Sequence, residues 1–381
     1  MDLIKRKQEY YMSKYLEIPF PLVENPFDGH IHIHRWRDQN SGETYIHGLE
    51  EYRRVCGLKY IALASLPSGN PIPAPRDVSN NIMCAFYKLA NENTYAYGGF
   101  IYPSYPAKES EMEEMSLATQ LDELNEIGFD GIKMLEGKPN LYARVGKPLD
   151  SDFFDSAFEK MEKEGTPILM HVADPERFWI DGTEEEIKKG WFYGDATKYP
   201  TYKSLYEQID NILEKHPKLN LCLAHFFFCS EKPKRLEEMF AKYENLSVDI
   251  TPGGEMYIGF QKDPEYFKSF FIKYADRVCF GTDMDYTPHL EAGVWLCDRV
   301  YRFMATDETL SSFDDHMIKG LSLPKDVLQK IFSDNLTGKL GTSPKPINKD
   351  ALRKYIAKYR HLIEDKELDK YIDELSDKYL N

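Results

Sequence analysis

FDGHIHIH, at residues 27–34, is the most informative segment of this 381-residue sequence. Alternate residues of a β-strand project from the same face, so His30, His32 and His34 are predicted to lie on one side of an extended segment. Two or three imidazoles on one strand face form half of the coordination shell of a divalent metal ion. The alternative interpretation is an exposed strand with solvated histidines. The segment therefore predicts a metal site, provided that other parts of the chain supply further ligands.

Short apolar segments recur along the chain, and polar, periodic segments typical of helices separate most of them. The apolar segments are residues 26–32, 59–66, 95–102, 129–135, 166–172, 220–226, 246–251 and 277–283. Helices are predicted, among other places, at residues 112–127, 152–165, 202–216 and 234–243. Strands that alternate with helices indicate a parallel sheet, and eight units in about 300 residues favour a TIM-type (β/α)8 barrel. No GxGxxG motif follows a predicted strand, which argues against a dinucleotide-binding fold.

Composition excludes several classes of protein. The net charge of −15 argues against binding to nucleic acid or to an anionic membrane surface. No apolar segment approaches the roughly 20 residues of a membrane span, and the charged N-terminus lacks the apolar core of a signal peptide. The six scattered cysteines are expected to be reduced and buried. These features together predict a cytoplasmic protein.

Polar residues end several of the predicted strands. His171 ends the fifth, in PILMHVAD, His225 ends the sixth, in LCLAHF, and Asp283 ends the eighth, in VCFGTDMD. A TIM-type barrel brings the C-terminal ends of its strands together at one mouth. We therefore expect these three residues to meet His30 and His32 there, although they are far apart in the sequence.

With these residues in place, the chain resembles the amidohydrolase superfamily, in the branch of metal-dependent hydrolases and aminocarboxymuconate-semialdehyde-type decarboxylases. The matching motifs are DGHIH, MHVADPERFW, LAHF and FGTDM, followed by LPKDVLQKIFSDNLTGKLG. The resemblance covers residues 25–341 and implies a (β/α)8 barrel there. Residues 1–24 are then an N-terminal helical extension, and residues 342–381 a C-terminal helical tail that packs on the barrel or on a second subunit of a homo-oligomer.

The resemblance also implies roles for single residues. His30, His32, His171 and Asp283 match the ligands of one divalent metal ion, with Zn²⁺ expected first and Mn²⁺ as the alternative. Asp283 would also accept a proton from the metal-bound water. His225 matches a histidine that acts as a general acid or base beside that water.

Alternatives remain open at three positions. His34 shares a strand face with His30 and His32, so it either contacts the substrate or forms a shifted ligand pair with His32. Lys133, in the fourth strand, either binds an acidic neighbour or a substrate carboxylate, or is carboxylated and bridges two metals, as in some members of the superfamily. Asp28 is expected to accept a hydrogen bond that orients a ligand imidazole.

The substrate is expected to be a small molecule and anionic. The loop after the fifth strand is rich in aromatic residues, among them Trp179, which suits a flat or sugar-like ligand or packing within the loop itself. Arg35 and Arg177 lie in loops at the predicted mouth and could bind a carboxylate. For Arg177, a salt bridge that fixes the loop is the alternative.

Three functions are compatible with this pattern. The first is a metal-dependent hydrolase that attacks a small carboxylated or cyclic substrate with a metal-activated water. The second is a metal-dependent nonoxidative decarboxylase of an unsaturated or aromatic acid, because the ligand set does not separate the two reactions. The third is a non-catalytic metal-binding barrel. The sequence names neither the substrate nor the native metal.

Overall fold

The computed structural model describes residues 20, 22–33, 44, 46, 48–67, 78–113, 115–285, 291–311 and 316–381. Eight parallel strands form the barrel, and their order in the sheet is their order in the chain. The strands are β1 (Phe27–His32), β2 (Tyr60–Ala64), β3 (Thr94–Gly99), β4 (Gly131–Gly137), β5 (Ile168–Val172), β6 (Leu221–Leu223), β7 (Ser247–Asp249) and β8 (Val278–Cys279). Each predicted apolar segment overlaps one of these strands, so the predicted (β/α)8 architecture is confirmed.

The barrel closes between its last and first strands. β8 pairs with β7, and the chain continues directly into β9 (Met284–Asp285), which pairs in parallel with β1. Between these two pairings the backbone N–H of Gly29 donates to the carbonyl of Phe280 at 3.1 Å, and the N–H of Asp283 donates to the carbonyl of His30 at 2.8 Å. Asp283 is therefore held beside β1, next to the histidines of that strand.

Helices surround the strands, and a two-stranded antiparallel sheet of β10 (Thr309–Ser311) and β11 (Met317–Lys319) lies apart from the barrel sheet. The helices within the barrel region are α1 (Gly48–Val55), α2 (Ser79–Ala90), α3 (Leu117–Ile127), α4 (Pro139–Val145), α5 (Asp152–Glu164), α6 (Glu184–Lys188), α7 (Tyr202–Lys215), α8 (Pro233–Lys242), α9 (Gly254–Gln261), α10 (Pro264–Lys273) and α11 (Glu291–Ala305). After β11 the chain forms α12 (Lys325–Gln329), a π-helical turn (Lys330–Asp334), α13 (Asn335–Leu340), α14 (Lys349–Tyr359) and α15 (Lys366–Tyr379). The four predicted helical segments correspond to α3, α5, α7 and α8.

Two hydrophobic cores lie on the two sides of the sheet. The smaller core contains Phe27, Tyr95 and Leu169 from the strands, together with Leu336 and Leu340 of α13. The larger core joins the outer faces of the strands to the helices and extends to Leu352 and Ile372 in the C-terminal helices. Every residue of β1, β3, β4 and β5 is buried, as expected for parallel strands covered on both faces.

The C-terminal segment packs on the barrel helices. Tyr359 of α14 donates a hydrogen bond to Glu123 of α3 at 2.6 Å, and the hydroxyl of Tyr355 accepts one from the side-chain amide of Asn81 of α2 at 2.9 Å. The division of the chain at residues 24 and 341 stays a prediction, since residues 1–19 lie outside the described part. All six cysteines are buried and free, as predicted. No helix in the described part of the chain is long and apolar enough to cross a membrane.

A buried ion pair joins the start of β4 to α2, and its removal tests the packing there. Lys88 donates to Asp130 at 2.5 Å, and the two side chains are 3% and 0% exposed. We expect Lys88→Ala to destabilise the fold by about 3 kcal/mol, because it leaves a buried carboxylate without its cation. Lys160→Ala, which breaks more exposed ion pairs, should change stability by less than about 1 kcal/mol. Urea unfolding of both variants checks this, and equal losses would contradict it.

Candidate functional site

His30 and His32 project from the same face of β1, as the strand periodicity predicts. Their Nε2 atoms lie 3.1 Å apart. Nδ1 of His32 donates to the carbonyl oxygen of Ala64 at 2.8 Å, and Nδ1 of His30 lies 2.9 Å from the carboxylate of Asp249. These contacts place the ring hydrogens on Nδ1 and leave lone pairs on both Nε2 atoms, the tautomer that a metal ligand needs.

Asp283 completes a group of three converging donors. Its Oδ1 atom lies 3.0 Å from Nε2 of His32 and 3.5 Å from Nε2 of His30. Ligands about 2.0–2.2 Å from one metal ion are separated from each other by roughly 3 Å. Among the described residues, His30, His32 and Asp283 form the group whose donor atoms all lie within 4.8 Å of one another. The spacing and chemistry of this group fit a divalent metal ion, because imidazole nitrogens and a carboxylate oxygen are ligands that such ions bind.

Lys133 of β4 reaches the same point from the barrel interior. Its Nζ atom lies 3.0 Å from Nε2 of His30. Burial lowers the pKa of the Lys133 ammonium to about 8, against the attraction of Asp283 and Asp249. Burial also lowers the pKa of His30 to about 3, and the charge of Lys133 acts in the same direction, so His30 is neutral and able to bind a metal. This position is compatible with both predicted roles of Lys133, substrate binding and bridging of two metals.

Asp249, at the end of β7, is a site residue that the sequence analysis missed. Its Oδ2 atom accepts from His30, and its Oδ1 atom accepts from the backbone N–H groups of His225 at 2.7 Å and Thr251 at 3.1 Å. Burial raises the pKa of Asp249, but the hydrogen bond from His30, the charges of His30 and His225 and the contact with Thr251 together lower the pKa to about 2. The signal was available in the sequence, since SVDIT places an aspartate at a predicted strand end.

His225 occupies a strained turn after β6. Four successive residues, His225 to Phe228, have left-handed φ angles between 48° and 55°, a conformation that costs about 1–2 kcal/mol for each L-residue. Nδ1 of His225 lies 3.2 Å from the carbonyl oxygen of Thr251, so Nδ1 carries the hydrogen and Nε2 carries the lone pair. Nε2 lies 3.9 Å from Oδ2 of Asp283. Strain of this kind persists where a fixed geometry is needed, and here it holds His225 against Asp283.

His171 lies near this group but outside the three close donors. Its ring centroid is 4.8 Å from that of His225. Its Nε2 atom donates to the carbonyl oxygen of Ala173 at 2.8 Å and lies 3.3 Å from Asp174, so a metal could be bound only through Nδ1. Asp174 is fixed in turn by Lys138 at 2.8 Å and by the hydroxyl of Tyr193 at 2.7 Å. The role of His171 as the fourth ligand stays a prediction.

Asp28 has a different role from the one expected. It accepts from the backbone N–H of His30, the hydroxyl of Tyr52, and the backbone and side chain of Thr282, but from no imidazole in the described residues. It therefore ties β1 to the segment that carries Asp283, while Asp249 and Ala64 orient the rings. Gly281 permits this close packing, since a Cβ atom there would lie 2.7 Å from Cβ of His30.

The aromatic loop after β5 packs largely on itself. Trp179 donates from its ring nitrogen to the carbonyl oxygen of Pro200 at 2.8 Å and contacts the rings of Tyr193 and Tyr202. Arg177 forms an ion pair with Glu186. These contacts match the alternatives of loop packing and a loop-fixing salt bridge, and substrate binding by either residue stays a prediction. His34 and Arg35 lie outside the described residues.

A family comparison agrees with this geometry. Residues 31–335 match the family model described as Amidohydrolase. The chain therefore belongs to the amidohydrolase family, which confirms the resemblance seen in the sequence motifs. A search of curated protein sequences finds no match.

Similar solved structures include two of 2,6-dihydroxybenzoate decarboxylase and one of a probable hydrolase. A 2,6-dihydroxybenzoate decarboxylase complexed with 2,6-dihydroxybenzoate is 12% identical, with a TM-score of 0.52 over 84% of this chain and 98% of that chain. The 2,6-dihydroxybenzoate decarboxylase from Rhizobium is also 12% identical, with a TM-score of 0.51 over 84% and 99%. A probable 2-pyrone-4,6-dicarboxylic acid hydrolase from Acinetobacter baumannii is 10% identical, with a TM-score of 0.46 over 84% and 100%. At these identities the likeness to the two decarboxylase structures shows the fold alone.

Proposed function

We propose that this protein is a metal-dependent hydrolase that acts on a small, anionic substrate through a metal-activated water. The observation that carries the proposal is the convergence of His30, His32 and Asp283, whose donor atoms lie 3.0–3.5 Å apart. His171 is the proposed fourth ligand. A bound divalent ion would supply a Lewis acid that polarises a carbonyl group and lowers the pKa of water.

Asp283 and His225 would divide the proton transfers. The two carboxylate oxygens of Asp283 face different partners, with Oδ1 toward His32 and Oδ2 toward His225. Asp283 can thus serve as a ligand through one oxygen and accept the proton of the attacking water at the other. Nε2 of His225, whose Nδ1 is held by the carbonyl of Thr251, carries a lone pair that can take up this proton from Asp283 and then deliver it to the leaving group.

Lys133 supports the choice of an anionic substrate. It is 2% exposed and lies beside the proposed metal ligands. A buried ammonium at this position can neutralise a substrate carboxylate that lies next to the reacting carbon. Such a contact would orient the substrate, and it assigns Lys133 the role of a binding residue in a mononuclear site.

Turnover of a compound panel tests the reaction. Protein loaded with Zn²⁺ or with Mn²⁺ is incubated with lactones, amides, and unsaturated and aromatic acids, and the products are identified by mass spectrometry. The proposal expects ring opening or amide cleavage. Release of CO₂ from a carboxylic acid without hydrolysis would replace the proposal with a nonoxidative decarboxylase, and no turnover by any metal form would favour a non-catalytic barrel.

The metal content is predicted to be one divalent ion per chain, Zn²⁺ or Mn²⁺. Purified protein, dialysed against metal and then against buffer, should retain one equivalent by elemental analysis, because three or four protein donors converge on a single point. His361→Ala, which removes an exposed histidine, serves as the control and should retain the same amount. No retained metal would refute the proposal. Two equivalents would replace it with a binuclear site bridged by carboxylated Lys133.

A further inference from the structure

Glu136 of β4 is a buried acid that the proposed mechanism does not use. Glu136 is 3% exposed. The hydroxyl of Tyr102 donates to its Oε1 atom at 2.7 Å. Its Oε2 atom has no hydrogen-bond partner among the residues that the structure describes. Because a buried acceptor without a partner is unfavourable, Oε2 calls for a donor from outside the described residues.

A small cavity at the barrel mouth lies against this carboxylate. Glu136 and Lys133 both line it, together with Ser65, Phe100 and Leu135. Its volume of about 10 Å³ is the room that one water molecule needs. Lys133 also lies 3.0 Å from Nε2 of His30, so the cavity borders the proposed metal ligands. A substrate held at the metal would then lie next to Lys133, which also lines the cavity.

The polar groups around the cavity decide what that substituent is. The hydroxyl of Ser65 is committed to Asn81, to which it donates at 2.7 Å, and Phe100 and Leu135 offer no side-chain polar atoms. Burial raises the pKa of Glu136, while the hydroxyl of Tyr102, the backbone N–H groups of Glu136 and Leu135 and the charge of Lys133 act in the opposite direction. Glu136 thus provides an acceptor in apolar surroundings, which favours a small hydrogen-bond donor and disfavours a methyl group or a hydrogen atom.

We propose that Glu136 is a specificity-determining residue whose Oε2 atom accepts a hydrogen bond from a hydroxyl or amino group of the substrate. The substrate class is then a small acid, or its lactone or amide, that bears such a group beside the reacting centre; this inference rests on the proposed function. In the free protein one water molecule would donate to Oε2. The substrate group would displace that water and reproduce its hydrogen bond, so that Oε2 keeps a donor when the substrate binds.

Matched compounds test the proposal. The probes are γ-butyrolactone with its α-hydroxy and α-amino derivatives, and benzoate with its 2-hydroxy and 2-amino derivatives. Binding to the metal-loaded protein is measured by calorimetry, and turnover is measured where it occurs. Wild-type protein should prefer a donor-bearing compound over its parent by roughly 10²-fold, because the parent leaves a buried acceptor unpaired. Whichever derivative binds more tightly, hydroxy or amino, indicates the donor group of the substrate.

Glu136→Gln is the decisive variant, because it keeps the size and an acceptor for Tyr102 but presents an NH₂ group to the cavity. In this variant the affinities for the donor-bearing compound and its parent should differ by no more than about threefold. The donor-bearing compound should bind more weakly than it does to the wild-type protein, and the affinity for the parent should stay the same. Glu123→Gln is the matched control, since Glu123 also accepts from a tyrosine, Tyr359, but on helix α3. It should keep the wild-type preference.

Two outcomes would overturn the inference. One is a wild-type protein that binds donor-bearing and parent compounds equally. The other is a preference that survives Glu136→Gln while the melting temperature of the variant falls, which would show that Glu136 only holds Tyr102. Neither outcome depends on catalysis, because binding is measured directly. The proposed function fails by different results, the absence of bound metal or the absence of hydrolytic turnover.

Discussion

His225→Ala should keep its metal and lose turnover by roughly 10²–10⁴-fold, the usual loss for a general acid or base. The imidazole of His225 lies beyond the three close donors, with Nε2 3.9 Å from Oδ2 of Asp283. Its removal leaves the contacts of His30 and His32 intact. Elemental analysis and steady-state kinetics on the same protein sample measure the two effects.

His32→Ala provides the contrast to His225→Ala. In the wild-type protein, Nε2 of His32 lies 3.1 Å from Nε2 of His30 and 3.0 Å from Oδ1 of Asp283. We expect metal affinity to fall by roughly 10²-fold or more, since one of only a few ligands is lost, and turnover to fall with it. His171→Ala should behave like His32→Ala if His171 is the fourth ligand. Equal metal loss in His225→Ala and His32→Ala would make His225 a ligand and end the mechanism with a separate acid or base.

Asp249→Ala should lower turnover at limiting metal by roughly 10²–10⁴-fold, because the carboxylate supports two histidines and each such support is worth about 10–100-fold. It orients the ring of His30 through Oδ2 and anchors the backbone N–H of His225 through Oδ1. Its loss frees the tautomer of His30 and relaxes the strained turn at His225. Metal titration measures the effect that acts through His30, and activity measured afterwards reports the effect that acts through His225.

Asp249→Asn is the matched variant for this prediction. The amide oxygen can still accept from the backbone of His225 and Thr251, but the amide nitrogen cannot accept from Nδ1 of His30. Metal affinity should therefore fall while the turn at His225 stays in place. Asp195→Asn, at an exposed aspartate, should change neither quantity. Wild-type metal affinity in Asp249→Asn would show that His30 does not depend on this acceptor.

Local sequence patterns were sufficient for the architecture. The apolar segments and the helical periodicity between them specify alternating strands and helices, and eight such units favour closure into a barrel. The same local rules predicted that His30 and His32 share a face, since alternation along a strand is a property of the backbone. The motifs at His171, His225 and Asp283 were recognisable because strand ends of a barrel share one mouth.

Only the tertiary structure decided how these residues are held. Asp249 contacts His30 across 219 positions of sequence, and no local rule tells which strand-end carboxylate will face a given imidazole. Asp28, two residues from His30, looked like the orienting acceptor because it is near in sequence, yet it binds Thr282 and Tyr52 instead. The left-handed turn at His225 is likewise invisible in HFFFC, because L-residues adopt it only when their surroundings impose it.

Glu136 is another residue whose environment could not be predicted from the sequence. In the sequence it is one acidic residue among the 63 Asp and Glu of the chain, and surface exposure is the ordinary expectation for it. Its burial beside Lys133 and its unpartnered oxygen arise from the packing of β2, β3 and β4 around one small cavity. The sequence by itself determined the fold and the residue types at the barrel mouth, because both follow from local periodicity. The tertiary structure decided which of those residues meet, because distances between strand ends are set by barrel closure and side-chain packing.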